Sequence, residues 1–276
     1  MIEPFLDNEF LQRALLAGIL VSIACSVVGT YVVLRGLAFI GDALAHGVLP
    51  GVAGALLLGW PGMLGAAVGA VAMIGGVGLI TTKSRLSSDT AIGLLFVGLL
   101  ALGVVMVSRS DSFTGDLVTI LFGELLGIGA NDLVIQAVAT LVVVVVGLLL
   151  ARPFLLLCFD PDLAQVMGYP SRRYHNVMLA LIAATVIVSF QTVGTLLVFG
   201  MLLAPAGVGA LVSRRVGVMM VVAGVTGVLS TYLGLLASYH WNYAAGASVV
   251  LCAVAIFFVT FAATAARDAM SARAAA

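Results

Sequence analysis

Charge is scarce in this sequence. Only 9% of its 276 residues are charged and 63% are hydrophobic, whereas soluble domains carry about 25% charged residues. No water-soluble surface can be built from that inventory, which excludes a soluble enzyme or binding module. Lys+Arg and Asp+Glu number 12 each, for a net charge of zero, so no electrostatic argument for a nucleic-acid partner exists. Cysteine is scarce: Cys25, Cys158 and Cys252 lie far apart, mostly in apolar runs, and are expected as free thiols. Several motifs are missing. The opening MIEPFLDNEF is acidic and lacks the basic region and cleavage site of a signal peptide, so anchorage by the chain's own helices is expected. No H-E-x-x-H zincin pattern is present around His46, His175 or His240. GAS at 246–248 faintly resembles an intramembrane serine protease, but no histidine is placed to activate Ser248. There is no phosphate-binding loop, so any energy from ATP must come from another chain.

What is present is apolar sequence in lengths of roughly 17 to 25 residues, the span of a bilayer-crossing helix. Nine such spans are read, at about 11–34, 38–59, 62–82, 91–108, 132–151, 174–191, 194–212, 216–236 and 244–265. The expected fold is therefore an all-α polytopic membrane protein with eight to nine transmembrane helices in a single domain over 1–276. The count drops to eight if the first helix inserts only halfway. The stretch DLVTILFGELLGIGAND between spans four and five is too short and broken to cross; it reads as a short interfacial helix or a re-entrant piece. Ten of the twelve basic residues fall on one side: Arg35, Lys83, Arg85, Arg152, Arg172, Arg173, Arg214, Arg215, Arg267 and Arg273. The positive-inside rule makes that side cytoplasmic. The N-terminus, with Glu3, Asp7 and Glu9, is then expected outside and the C-terminus inside.

Against this background FIGDALAHGVLPG, Phe39 to Gly51, stands out. Asp42 and His46 are four residues apart and so share one helix face. With a rise of ~1.5 Å per residue, His46 falls near mid-bilayer and Asp42 one turn nearer the cytoplasm. An ionised group at that depth costs at least ~2.5–3.5 kcal/mol, so something must compensate. One reading is an internal Asp–His hydrogen bond that clamps helix packing. The other is a ligand pair for a cation, or a proton relay. Pro50 favours the second, because it frees the carbonyl four residues back for a cation or water.

The longest polar interruption is FDPDLAQVMGYPSRR, 159–173, on the cytoplasmic side. Asp160 suits an N-cap, Pro161 the first helical position and Gly168 the stop, which predicts a short surface helix PDLAQVM. It is either a capped loop or a docking helix for a cytoplasmic partner. In SFQTVGTLLVFGMLLAPAGVGALVSRR, 189–215, the residues Gly200, Ala204, Gly207 and Ala210 mark a small-residue face suited to close helix packing. His240, in SYHWNY, reads as part of an interfacial aromatic belt rather than a ligand. The sequence assigns no role to Glu124 or Gln191.

Four blocks carry a resemblance: RGLAFIGDALAHGVLPGVAGALLLG, SSDTAIGLLFVGLLALGVV, DPDLAQVMGYP and VGTLLVFGMLLAPAGVGALVSRR. In this order and spacing, from about Val28 to Arg215, they resemble the membrane permease subunit of bacterial zinc/manganese ATP-binding-cassette importers. The resemblance implies a homodimer in the plasma or inner membrane, two cytoplasmic ATPase subunits beneath it, and an extracytoplasmic binding protein that delivers the metal. It implies that Asp42 and His46 are metal ligands in the path. It also implies that Asp160, Pro161, Leu163, Val166 and Gly168 form the ATPase-docking helix. The chain would then carry no ATPase activity and no resident cofactor, only transported Mn2+ or Zn2+. The C-terminal third matches more loosely.

A two-fold dimer would either gather two carboxylates and two imidazoles near one axis or leave one pair in each half of a shared path. The first is a mixed O/N set suited to either metal. Two alternatives stay open. A proton-coupled secondary transporter explains the pair but leaves 159–173 unexplained and predicts inverted repeats, which are not evident. A permease for iron chelates or cobalamin shares the architecture but needs a wide path rather than a ligand pair.

Overall fold

The computed structural model describes residues 8–108 and 128–275. The described residues form twelve helices: α1 (Glu9–Arg35), α2 (Ala38–Gly47), α3 (Leu49–Leu57), α4 (Gly62–Lys83), α5 (Ser88–Val107), α6 (Ala130–Leu149), α7 (Ala151–Phe159), α8 (Pro161–Val166), α9 (Ser171–Val193), α10 (Thr195–Val212), α11 (Val216–Trp241) and α12 (Ala245–Ala275). Eight segments are long and apolar enough to cross a bilayer, with α2 and α3 together making the second; a shorter apolar stretch, Leu197–Val212, falls where the seventh span was expected. The expected piece at 116–132, with Glu124, lies almost wholly outside the described residues.

Helix α1 organises the bundle, packing on α6, α10 and α11. Its buried face carries hydroxyls at helical spacing. Ser22 donates to the Gly18 carbonyl at 2.6 Å and Thr30 to that of Ser26 at 2.7 Å. Satisfied within their own helix, these hydroxyls cost little inside the membrane. Tyr31 is anchored differently: its hydroxyl donates to the Gly147 carbonyl of α6 at 2.9 Å, and its ring meets Phe154 of α7 edge-on at 5.2 Å. Small residues let other helices meet backbone to backbone. At Gly51 of α3 a Cβ would stand 2.1 Å from the Gly65 carbonyl oxygen of α4, so neither position accommodates a side chain.

Two helix breaks differ from the sequence reading, and both follow from proline. The second span is not one helix: α2 ends at Gly47 and α3 begins at Leu49. Pro50 has no N–H to give the carbonyl four residues back, that of His46. Likewise Pro153 leaves the Leu149 carbonyl without its helical partner, and the chain turns at Leu150 into α7. The sequence reading gave 152–158 no element because the fifth span already sufficed to cross the bilayer. Burial of Pro153, Phe154 and Leu157 makes it a helix. A third proline, Pro205, lies inside α10 without breaking it.

The small-residue face of α10 packs as expected. A Cβ at Gly200 would meet Val250 at 2.7 Å and one at Gly207 would meet Phe257 at 2.9 Å, both on α12. Tyr239, Trp241 and Tyr243, beside His240, are all more than half exposed at one end of α11, as a belt requires. Ser248 donates to the Ala244 carbonyl at 3.0 Å.

Candidate functional site

Asp42 and His46 sit on the last two turns of α2, immediately before the Pro50 break. Their side chains do share a face: His46 Nε2 stands 3.4 Å from Asp42 Oδ1, with the side chains 23% and 33% exposed. That separation is long for a charge-assisted hydrogen bond, which closes to about 2.7–2.9 Å. It matches the spacing of two ligand atoms that each lie ~2.1 Å from one tetrahedral ion, about 3.4 Å. The other imidazole nitrogen, Nδ1, is buried without a hydrogen-bond partner among the described residues. Phe96 of α5 holds the ring from the side, edge-on with centroids 5.6 Å apart. The neighbours of α2 are close and apolar: a Cβ at Gly41 would meet Leu202 of α10 at 2.7 Å, and one at Gly47 would meet Leu99 of α5 at 3.4 Å.

Two ligands do not complete a metal site. Among the described residues no group of three or more His, Cys, Asp or Glu side chains gathers in reach of one ion. An ion held by this pair would need further ligands from outside the described side chains.

The 159–173 segment folds locally as its residues dictate. Asp160 caps α8, its Oδ1 accepting from Asp162 N at 3.1 Å and Leu163 N at 2.9 Å. Pro161 opens the helix, and Gly168, at φ +86°, closes it. Ala164 is buried, while Leu163 is 46% and Val166 85% exposed, with Phe159 and Met167 also exposed. An apolar cluster thus projects from the most polar loop of the chain.

Several polar groups make contacts, or occupy buried positions, that the sequence reading did not assign. Arg35, ending α1, donates to the Leu157 carbonyl and so ties α1 to the helix leading into α8. Cys158 lies beside it; burial pushes its thiol pKa up, and the Arg35 charge opposes this only in part. His175 of α9 has a buried Nδ1 with no partner among the described residues. On α6, Gln136 is 1% exposed and donates to Ser189 of α9 at 3.3 Å. A lone glutamine in an apolar run would have flagged that contact, whereas the Arg35 bond spans 122 residues and leaves no local signal. The three cysteines are free, as expected. Gln191 falls where no side chain is described.

The profile of the ABC 3 transport family matches residues 7–264. The "Manganese transport system membrane protein MntC" of Listeria monocytogenes is 36% identical over 260 residues, covering 94% of this chain and 92% of that protein. The "Chelated iron transport system membrane protein YfeD" of Yersinia pestis is 38% identical over 257 residues, covering 93% and 86%. Among solved structures, "PsaBC from Streptococcus pneumoniae in complex with Fab" superposes with a TM-score of 0.85 at 34% identity, covering 94% of each chain. This multi-pass membrane chain belongs to the ABC 3 transport family.

Proposed function

We propose that this chain is the membrane permease subunit of an ATP-binding-cassette importer for a divalent transition metal, manganese or zinc. It works as a homodimer in a bacterial plasma or inner membrane, with an extracytoplasmic binding protein delivering the ion and two cytoplasmic ATPase subunits driving the cycle. The permease hydrolyses nothing itself. The observation that carries the reading is the Asp42–His46 pair, two partly exposed side chains whose carboxylate and imidazole atoms stand 3.4 Å apart just before the helix breaks at Pro50.

A divalent ion that sheds water at this depth needs opposite charge nearby, and Asp42 supplies it. His46 adds a nitrogen that binds metal only when unprotonated, so protons compete with the ion. The same α2 face of a second copy, carbonyls at the Pro50 break and water complete the shell. Two protein ligands per chain make a weak site, which suits a conduit that must release what it accepts. Below, α8 offers Leu163 and Val166 to the ATPase on a framework set by Asp160, Pro161 and Gly168. The manganese name of the Listeria relative favours that ion. A chelate would need a wide path, and the apolar packing around α2 offers a small one.

The test is metal uptake by the reconstituted complex of permease, ATPase and binding protein, with Mn2+, Zn2+ and Fe2+ compared. Metal-dependent ATP hydrolysis coupled to uptake is expected. Transport that runs on a proton gradient with no ATPase bound would return the pair to a proton relay.

A further inference from the structure

We propose that the seam between α10 and α12 binds one anionic phospholipid, its phosphate held at the cytoplasmic end and an acyl chain lying in the groove above. The polar part is a cleft of about 450 Å³ lined by Ser213 and Arg214 after α10 and by Thr260, Thr264, Arg267 and Asp268 of α12. No ion pair engages Arg214 or Arg267 among the described residues. The Ser213 hydroxyl, in the same cleft, is buried without a hydrogen-bond partner among them. Two guanidiniums and a hydroxyl in need of an acceptor make a site for a phosphate, with Asp268 the one opposing charge; a divalent cation would be repelled.

The apolar part is a groove of about 380 Å³ along the same two helices, lined among others by Leu203, Ala204, Val254 and Phe257. Phe257 of the groove is three residues, about one helical turn, from Thr260 of the cleft, so the two follow one another along α12. Ten residues of helix separate Phe257 from Arg267, roughly 15 Å, which is half the thickness of the hydrocarbon layer. Helix α12 runs 31 residues, about 46 Å, long enough to carry Arg267 to the headgroup level. A polar end at the surface and an apolar end at membrane depth describe an amphiphile. A water-soluble ATPase could fill the first but could not reach the second. A second copy meeting this seam about a two-fold axis would oppose four arginines, the like-charge contact an isologous interface avoids. Basic pockets between helices on the cytoplasmic side are a known form of headgroup site.

The experiment is native mass spectrometry of the assembled transporter, released from nanodiscs of phosphatidylcholine with phosphatidylglycerol. Wild type should retain phosphatidylglycerol in preference to phosphatidylcholine. Arg214→Gln/Arg267→Gln should retain it roughly thirty-fold less, from about fivefold per arginine near an anionic surface. Both positions are exposed, so the fold should survive, and equal assembly of the complex checks that. Arg85→Gln removes an exposed charge from the same cytoplasmic face and should change nothing. Four results overturn the proposal: equal retention in the double variant, loss in Arg85→Gln as large as in the double variant, displacement of the lipid by millimolar inorganic phosphate, or a cross-link from a photoreactive group at position 214 to the ATPase or a second permease rather than to lipid.

Discussion

Substitutions at Asp42 and His46 separate a structural clamp from a gate. Asp42→Asn keeps the shape and removes the charge; His46→Leu keeps the apolar bulk and removes the ligand. If the pair clamps helices, both lower abundance and uptake falls only in proportion. If it binds the ion, both assemble normally while uptake per complex collapses by an order of magnitude or more, and that is the expected result. Phe96 extends the argument: its edge contact sets the ring of His46. Phe96→Leu should therefore weaken apparent metal affinity while leaving assembly and maximal rate closer to wild type, read as KM against kcat. The spacing of Asp42 and His46 was legible in the sequence because i,i+4 geometry is local. Phe96 was not, since its contact with His46 crosses fifty residues and any apolar side chain suits its span.

At the scale of the helix, prolines and caps decide where elements stop, and these signals varied in legibility. Asp160, Pro161 and Gly168 each act on the backbone a few residues away, so α8 could be read directly from the sequence. Helix α7 could not, because its residues look like the tail of the preceding span; Pro153 breaks the helix there, and the packing of Phe154 against Tyr31 holds the new segment in place. The Pro50 break was half legible: the freed carbonyl was expected, the division into α2 and α3 was not. The docking role of α8 gives a prediction at this scale. Leu163→Asp puts charge on an exposed residue, so the permease should fold and insert normally. ATPase co-purification or coupled uptake should fall at least tenfold; normal values of both would reduce α8 to a capped loop. Asp160→Ala tests the same helix more gently. Losing a cap costs about 1 kcal/mol, so partial uncoupling is expected, with uptake between that of wild type and of Leu163→Asp.

For the whole molecule the open quantity is direction across the membrane, which the sequence expressed only as an excess of basic residues on alternate connections. The structure brings some of those residues together: Arg35 reaches the carbonyl of Leu157 just before the 159–173 loop, and Arg214 and Arg267 line one cleft. Each contact joins ends that the positive-inside rule assigns to the cytoplasm. Orientation can then be tested with two single cysteines. Leu86→Cys, in the connection between α4 and α5, leaves the Ser87 cap, which accepts from Thr90 N at 3.2 Å, untouched. Tyr243→Cys lies in the aromatic connection between α11 and α12, where the side chain is 63% exposed. An impermeant maleimide applied outside intact cells should label Tyr243→Cys and spare Leu86→Cys; inverted vesicles should reverse the pattern. Native thiols should add little background near pH 7. Cys25 is buried, and the thiol of Cys158 is pushed up by its partial burial, so little of it is thiolate, the reactive form. A raised thiol pKa means that background from Cys158 grows as the labelling pH rises, which the unsubstituted chain at two pH values will register. If both introduced cysteines label from one side, α5 through α11 cross the bilayer an even number of times and the nine-span topology fails. If they label from opposite sides in the reversed sense, the crossing count survives, but α8 would face outward, away from ATP, and the docking assignment would fall with the orientation.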